Sequence, residues 1–277
     1  MEIYKGRYMS KTRFSLFRYQ LLPKNRYFQG DLYGPSSVEE LIKIKNDIFG
    51  QALRAPTIFN SERSEINAQK IYDYDGFYLF RVAVNRSVHL ETKDFGSRSV
   101  ANWPKILVAI WNHPEIQLIA VQQRSQAFQK PMAAVKILTK SLEDILSRHQ
   151  LITAVEPLFE KKMFWDLIEK HQGRIRKVEF ELVTPNMASI SKALPDDLKA
   201  FAKRTNAVKS RITLESDPDS ALVLDKSDGT VEGLAAYASD GGGNVSISLG
   251  NLKKKINTST TVKEIELSDA KLDGDAE

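Results

Sequence analysis

MFWDLIEKHQGRIRKVEFELVTPNM, residues 163–187, contains both kinds of regular structure from which this fold is built. Apolar residues recur at helical spacing in its first half, which predicts a helix over 161–171. Gly173 suits the end of that helix because glycine readily adopts a positive φ. The second half alternates apolar and charged residues, which predicts a strand with one buried face. The expected core residues of the segment are Phe164, Leu167, Ile175, Val178 and Phe180.

Two further helices are indicated before this segment. Residues 133–148 carry apolar side chains at helical spacing, with polar residues on the remaining positions. Ser37 can cap a helix over 38–49, because its hydroxyl can accept a hydrogen bond from the first turn and acidic residues follow it.

The strands are indicated by alternation and by turn residues. Asp75-Gly76 lies between two strand-like runs and predicts a hairpin. A buried hairpin is expected over 104–123, where two apolar runs flank a polar turn. The stretch SVHLETKDF, residues 87–95, is expected to continue the same sheet.

The order of these elements favours an α+β fold with mixed or antiparallel sheets and packed helices. Strands and helices are mixed without the regular βαβ alternation of a doubly wound parallel sheet. A chain of 277 residues can bury one large core or two smaller ones. We expect two lobes, an N-terminal α+β domain over 1–150 and a C-terminal α+β domain over 151–263, followed by an acidic tail over 264–277.

Charge is distributed unevenly along the chain. The formal net charge is +5, from 40 basic and 35 acidic residues. Residues 264–277 hold six acidic residues and one lysine, so residues 1–263 hold 39 basic and 29 acidic residues, a net charge of +10. A basic body beside an acidic segment favours a polyanion partner with which that segment competes.

Several function classes find no motif in the sequence. The chain has no cysteine, which excludes disulfides, thiol catalysis and thiolate metal sites, and which fits the reducing cytoplasm. Its four histidines lack zinc-ligand spacing, and no phosphate-binding loop, dinucleotide fingerprint or nucleophile elbow is present. No apolar run reaches the roughly 20 residues of a membrane helix. We therefore expect no cofactor, no metal and, on balance, no catalytic activity.

Two alternatives to a simple binding protein remain open. Glu91 and Lys93, with Asp73 or Asp75 upstream, could form the carboxylate and lysine set of a metal-dependent nuclease. A module that senses a protein through its basic surface is also compatible with the sequence. The glycine cluster DGGGN, residues 240–244, could cradle a phosphate or form a turn.

Nucleic-acid binding requires cations spaced to meet phosphates on a rigid surface, and clusters in the second half of the chain satisfy this requirement. Arg174 and Arg176 are two residues apart on an expected strand and therefore share a face, whereas Lys177 lies on the other. No recognition helix, zinc finger or RNP1 pattern indicates sequence-specific readout. The candidate nucleic-acid-binding residues are Lys161, Lys162, Arg174, Arg176, Lys177, Lys203, Arg204, Lys209, Arg211, Lys253, Lys254 and Lys255.

The order of pieces over 104–186 resembles a known family. An apolar hairpin ending in IQLIAVQQRSQAF is followed by an amphipathic helix, the strand ITAVEPLF, the helix and basic loop FWDLIEKHQGRIRK, and the strand VEFELVTPN. This order is similar to the middle of RexA-type phage-exclusion proteins and of related prokaryotic defence proteins, including the DNA-binding subunit of Kiwa systems. The resemblance covers roughly a third of the chain and contains no short motif, so no DNA-contacting position is transferred.

The resemblance implies a specific function. Proteins of this type are non-enzymatic, bind duplex DNA without sequence preference, assemble as homodimers and act with a membrane-protein partner in phage defence. For this chain we therefore expect DNA as the ligand, a homodimer, and a membrane protein encoded nearby.

The acidic tail generates a first prediction. Deleting residues 264–277 is expected to tighten DNA binding, because six carboxylates that compete with phosphates are removed. Fluorescence anisotropy of a labelled duplex measures the affinity. An unchanged affinity would make the tail a bystander.

Overall fold

The computed structural model describes residues 11–25, 35–183, 196–205, 207–250 and 255–268. In these residues the chain is α+β, as predicted, and its sheets are antiparallel. The helices are α1 (Val38–Ala52), α2 (Pro131–Arg148), α3 (Lys161–Lys170), α4 (Asp196–Arg204) and α5 (Gly229–Tyr237), the last continued by a π-turn over Ala238–Gly242. None of the helices in these ranges is both long enough and apolar enough to cross a membrane.

The strands fall into a large sheet, a smaller sheet and a separate two-stranded ribbon. They are β1 (Lys11–Pro23), β2 (Ile66–Tyr74), β3 (Phe77–Val84), β4 (Val88–Glu91), β5 (Ser97–Val100), β6 (Lys105–His113), β7 (Ile116–Gln122), β8 (Leu151–Pro157), β9 (Ile175–Val183), β10 (Lys209–Glu215), β11 (Gly243–Leu249), β12 (Ile256–Asn257) and β13 (Glu264–Ser268).

The first lobe is built on the large sheet, whose order is β13-β1-β7-β6-β3-β2, with β8 also paired to β1. α1 and α2 cover one face of this sheet, where residues such as Phe17, Phe80, Val108 and Leu138 form a continuous core. The predicted hairpins are confirmed, since β2 pairs with β3 and β6 pairs with β7. The turn residues Asp75 and Gly76 both have positive φ, as a type I′ turn requires.

The predicted helices of this lobe are also confirmed. α1 begins after Ser37, whose hydroxyl accepts a hydrogen bond from the Glu40 amide at 3.2 Å. This bond satisfies one of the amides that a helix leaves without an internal partner at its N-terminus. α2 spans the predicted stretch and turns its apolar residues, including Ala134, Val135 and Leu142, into the core.

The strand β1 is paired along both of its edges. One edge pairs with β7 over Phe14–Arg18. The other edge pairs with β13 over Lys11–Ser15 and then with β8 over Phe17–Pro23. The first sheet therefore takes in β8, which follows the predicted boundary at residue 150. It also takes in 264–268, which we had assigned to the tail, so a truncation that keeps the strand starts at residue 269.

The ribbon of β4 and β5 differs from the expectation. We predicted that 87–95 would continue the large sheet, but β4 pairs only with β5 within the described residues. Every strand residue of the ribbon is exposed, and Phe95 near its turn is fully exposed with φ of 59°. The prediction was wrong: the stretch has the alternation of a strand, but its apolar residues Val88 and Leu90 are 40% and 44% exposed and belong to neither core.

The second lobe is built on the smaller sheet, whose order is β10-β9-β11-β12. α3 and α5 contribute Phe164 and Leu234 to its core, beside Val178 and Phe180 of β9. The core assignment for 163–187 is confirmed: Phe164, Ile175, Val178 and Phe180 are buried, and Leu167 packs against them half-buried.

The two lobes meet at β1. The amide of Leu158 donates to the carbonyl of Leu16 at 3.0 Å, and the guanidinium of Arg18 donates to the carbonyl of Asp240 at 3.0 Å. The π-turn approaches so closely that a Cβ on Gly241 would overlap the Cβ of Arg18. A Cβ on Gly243 would likewise overlap the carbonyl of Glu181. Gly241 thus serves close packing between the lobes, whereas Gly243 serves close packing of β11 against β9 within the second lobe.

This close approach gives a prediction with an internal control. Gly241 and Gly173 have φ of 80° and 73°, so alanine meets the same backbone cost of roughly 1–2 kcal/mol at either position. Of these two glycines, only Gly241 has neighbours within 4 Å of the added Cβ. Gly241→Ala is therefore expected to cost about 1–3 kcal/mol more than Gly173→Ala. Chemical denaturation measures both variants, and equal losses would show that the turn does not hold the lobes together.

Candidate nucleic-acid interface

Five of the predicted cations that the structure describes are paired with carboxylates. Lys177 contacts Glu215 at 2.9 Å, Arg211 contacts Glu181 at 2.7 Å, and Lys255 contacts Glu179 at 3.9 Å. Lys161 pairs with Glu232, which also accepts a hydrogen bond from the indole of Trp165 at 2.8 Å. A phosphate would have to displace these partners before it could use the cations.

Lys209 lies in a small network at the cleft between the lobes. Its ammonium contacts Glu156 at 3.1 Å and Glu181 at 2.8 Å. The cleft of about 340 Å³ is lined by Lys209, Lys136 and both of these carboxylates, so its charges nearly balance. The structure thus places paired charges, and no excess of cations, in this cleft.

The two carboxylates of this network respond to their surroundings in opposite directions. Burial raises the pKa of Glu156, and the nearby Lys209 only partly offsets that effect. Hydrogen bonds from Lys209 and Arg211 lower the pKa of Glu181, which is less buried. Burial penalises the ionised form of Glu156, whereas direct donors stabilise the ionised form of Glu181.

Arg174 and Arg176 lie close together, although Arg174 precedes β9, which begins at Ile175, and does not share a strand face with Arg176. Both line a concavity of about 300 Å³ that also includes Gly173, Asp219 and Gly250. Arg176 donates to the carbonyls of Asp217 and Ser220, whereas the side chain of Arg174 is exposed. Arg176 is thus used to hold a loop, and Arg174 is the member of the pair that is available to a ligand.

The remaining predicted cations divide into two groups. Lys162 is exposed near the start of α3, and Arg204 is the last residue of α4. Lys253, Lys254 and the side chain of Lys203 lie outside the part of the chain that the structure describes. The assignment of these residues to a nucleic-acid surface stays a prediction.

A different set of cations lies together at one end of the first lobe. Arg86 follows β3, Lys105 begins β6, Arg124 follows β7, and Lys130 precedes α2. We call these four residues the cationic end. The ends of three neighbouring strands bring them together, and the guanidinium of Arg124 donates to the carbonyl of Lys105 at 3.1 Å.

The cations of this end have no carboxylate partner among the described residues. Arg86 donates to the carbonyl of Ala127 at 2.8 and 3.1 Å, which orients its guanidinium without neutralising it. Lys105 and Lys130 are exposed. Residues 84–105 and 122–133 together hold six cations and two acidic residues, so the net charge of this end is +4.

A concavity of about 570 Å³ lies within this end. Its lining includes Arg86, Lys130, Ser125 and Gln126, and no acidic residue is among the side chains that line it. α2 starts at its rim, with no side-chain cap at Lys130 and no acidic residue in the first turn. The helix dipole therefore adds to the positive potential of the two cations.

Sequence reasoning missed the cationic end because its members are far apart in the chain. Each stands alone between apolar strands, whereas the predicted clusters were runs of neighbours. The usable signal was the scarcity of acidic residues in 84–105 and 122–133. If the hairpin around Asp75-Gly76 and the hairpin over 104–123 had been assigned to one sheet, residues 84–105 and 122–133 would have been placed at the same end of that sheet.

The alternative nuclease site is not assembled. Asp73 is held by Arg54 at 2.8 Å and by Lys70, and these partners lower its pKa to about 2. Glu91 lies on the exposed ribbon. Across the ranges that the structure describes, no three histidine or carboxylate side chains are grouped closely enough to hold a metal ion.

Comparisons with protein-family models, with curated proteins and with solved structures found no match to this chain. Function is therefore inferred from the arrangement of the chain's own residues.

The paired carboxylates give a pH-dependent prediction. At pH 7, Glu181→Gln is expected to lower the free energy of unfolding by about 2 kcal/mol, because the charge-assisted hydrogen bonds from Lys209 and Arg211 weaken. A lowered folded-state pKa gives stability that is present above the ordinary value of about 4.3 and is lost as the pH falls through the folded pKa. The loss caused by Glu181→Gln should therefore disappear in acid.

Glu156→Gln is the matched control. A raised folded-state pKa costs stability above that pKa, so this variant is expected to match or exceed the wild-type free energy of unfolding at pH 7. Denaturant titrations between about pH 3 and pH 7 measure the free energy of unfolding of both variants. Equal losses for the two variants at pH 7 would contradict the opposite roles assigned to these carboxylates.

Proposed function

We propose that this protein is a non-enzymatic DNA-binding protein that contacts phosphates through the cationic end of its first lobe. The observation that supports this most directly is the set of cations there that have no carboxylate partner in the described part of the chain. Phosphate contacts supply most of the affinity of sequence-independent binding, because each one releases condensed counterions.

The two lobes differ as binding surfaces for a polyanion, because more of the cations in the second lobe are paired with carboxylates. A cation already paired with a carboxylate must exchange one anionic partner for another, so it gains little from a phosphate. Lys105 and Lys130 are exposed, and within the ranges that the structure describes they have no such partner to exchange. The start of α2 beside Lys130 adds amide donors of the kind that bind phosphates at helix termini.

Sequence-independent binding follows from the kind of contact available. Phosphate contacts position a protein on DNA but carry no sequence information. The cationic end combines lysines, arginines and a helix start, which are all groups that contact phosphates. Duplex DNA of arbitrary sequence is therefore the first probe.

The biological setting is proposed on the resemblance over 104–186 alone. It comprises phage defence, a homodimer and a membrane-protein partner. A neighbouring gene for a membrane protein, together with loss of phage exclusion when Lys105 and Lys130 are replaced, would support that setting. Exclusion that is unaffected by these replacements would count against it.

Salt titration provides the test of DNA binding. Lys105→Gln and Lys130→Gln are each expected to weaken duplex binding and to reduce the slope of log K against log salt by about 0.9, the value of one phosphate contact. Lys177→Gln removes a cation that is paired with Glu215 and should leave the slope unchanged. Fluorescence anisotropy at several salt concentrations measures all three.

Two further variants locate the surface. Lys162→Gln and Arg174→Gln remove exposed cations of the second lobe. If these two reduce the slope and the first-lobe variants do not, the interface lies on the second lobe. Absence of binding by the wild-type protein at low salt would overturn the proposed function.

A further inference from the structure

The large sheet has a second face that α1 and α2 do not cover. The side chains that point to this face alternate with those of the core along β2, β3, β6 and β7. We call this surface the open face. Its residues are Asn67, Gln69, Tyr72, Tyr74, Phe77, Leu79, Arg81, Ala83, Lys105, Leu107, Ala109, Trp111, His113, Ile116, Leu118, Ala120 and Gln122.

The strands beneath this face are apolar on both sides. β3 reads FYLFRVAV and β7 reads IQLIAVQ, runs typical of strands that are buried on both faces. On the helix side, Phe80, Val108 and Ile119 are at most 1% exposed. On the open face, Leu79, Leu107 and Leu118 are only half-buried and belong to neither described core. Apolar surface of this extent on a soluble protein indicates a binding surface.

Aromatic rings are concentrated at one end of the open face. The rings of Phe77 and Trp111 lie 4.9 Å apart, Tyr72 lies 5.8 Å from Phe77, and Tyr74 lies 6.5 Å from Tyr72. Trp111 and Tyr72 are each 47% exposed and Tyr74 is 70% exposed. Rings exposed to this extent leave much of their surface open to contact with a ligand. Burial inside a core would have stabilised them more.

Charge on the open face favours a polyanion. Arg81 and Lys105 are its cations, and none of the open-face residues is acidic. Lys105 also belongs to the cationic end, so the two surfaces are continuous. Trp111 lies six positions beyond Lys105 along β6, a distance of roughly 20 Å at the rise of a strand.

Cations at one end and exposed rings at the other match the requirements of unpaired nucleic acid. Proteins that bind single strands combine a positively charged surface for the backbone with aromatic side chains on which bases stack. In a duplex the base faces are already stacked on one another, so rings such as Trp111 could not reach them. Single-stranded DNA can therefore use the whole open face, whereas duplex can use only its cationic end.

We propose that single-stranded DNA lies along the open face, with phosphates at Arg81 and Lys105 and with bases stacked on Trp111, Tyr72 and Tyr74. This proposal rests on the proposed DNA binding and specifies the form of DNA that this surface takes. It also accounts for an apolar sheet face that carries cations and no carboxylate.

The test compares a labelled 20-residue oligothymidine with a duplex of equal length. Trp111→Ala is expected to weaken oligothymidine binding at least about fivefold, the lower range for loss of one stacked base. Duplex binding and the salt slope should remain at wild-type values, because no phosphate contact is lost. Trp111→Phe keeps a ring and should retain most of the affinity, which separates stacking from misfolding. Phe201→Ala removes an aromatic that is 55% exposed on the other lobe and serves as the matched control.

Tryptophan fluorescence provides an independent readout. Oligothymidine should quench the wild-type emission, and Trp111→Phe should abolish most of that quenching. Trp103→Phe removes the other exposed tryptophan and should preserve it. The third tryptophan, Trp165, is 8% exposed and contributes little to quenching by a surface ligand.

The outcomes separate this inference from the proposed function. If the wild-type protein binds neither form of DNA, the proposed function fails. If duplex and oligothymidine both bind through Lys105 while Trp111→Ala binds oligothymidine like the wild type, the open-face proposal is overturned and the proposed function stands. If the wild type sediments as a dimer and Trp111→Glu makes it a monomer, the open face belongs to a second copy of the chain and the proposal is likewise overturned.

Discussion

Hydrogen bonding along both edges of β1 is the constraint on which the rest of the molecule depends. This strand joins the helix-covered sheet on one side to β8 and β13 on the other. The carbonyl of Leu16 and the side chain of Arg18 then attach the second lobe, through Leu158 and the π-turn. Because the lobe is fixed against β1, the helix-free face of the sheet is covered at that strand and remains open from β7 to β2. The position of the open face is thus a consequence of where the second lobe docks.

The number of cations is a poor guide to a polyanion surface, because pairing decides which of them keep an uncompensated charge. The second lobe holds most of the basic clusters, yet Glu156, Glu181 and Glu215 neutralise several of them. In the first lobe the cations stand singly in the sequence, but the ends of its strands bring four of them together, and none of these four has a carboxylate partner among the described residues. An electrostatic surface is therefore a property of the sheet topology, which determines whether residues distant in the chain meet opposite charge.

Much of the fold could be predicted from the sequence, since the local signals agree with the final structure. Periodic apolar residues located α2 and α3, and Asp75-Gly76 located a hairpin, because in each case the side-chain pattern repeats with the period of the element. Pairing between distant strands was not predictable, and so 151–157 and 264–268 were separated from a sheet to which they belong. The candidate site depends on the same long-range pairing. Arg174 and Arg176, two residues apart, could be placed together, whereas Arg86 and Lys130 required knowledge of the sheet.

The pairing of β1 with β13 has a consequence for the order in which the chain is made. Lys11 lies opposite Ser268, so these partners are separated by more than nine-tenths of the sequence. Contacts this distant in sequence form slowly, because a long loop must close before they contribute stability. During synthesis, part of one edge of β1 must remain without its strand partner until residues 264–268 have emerged from the ribosome. An unpaired strand edge is a site for association with other chains. The nascent protein must therefore avoid aggregation while this edge is unpaired, although the edge is fully paired in the folded structure.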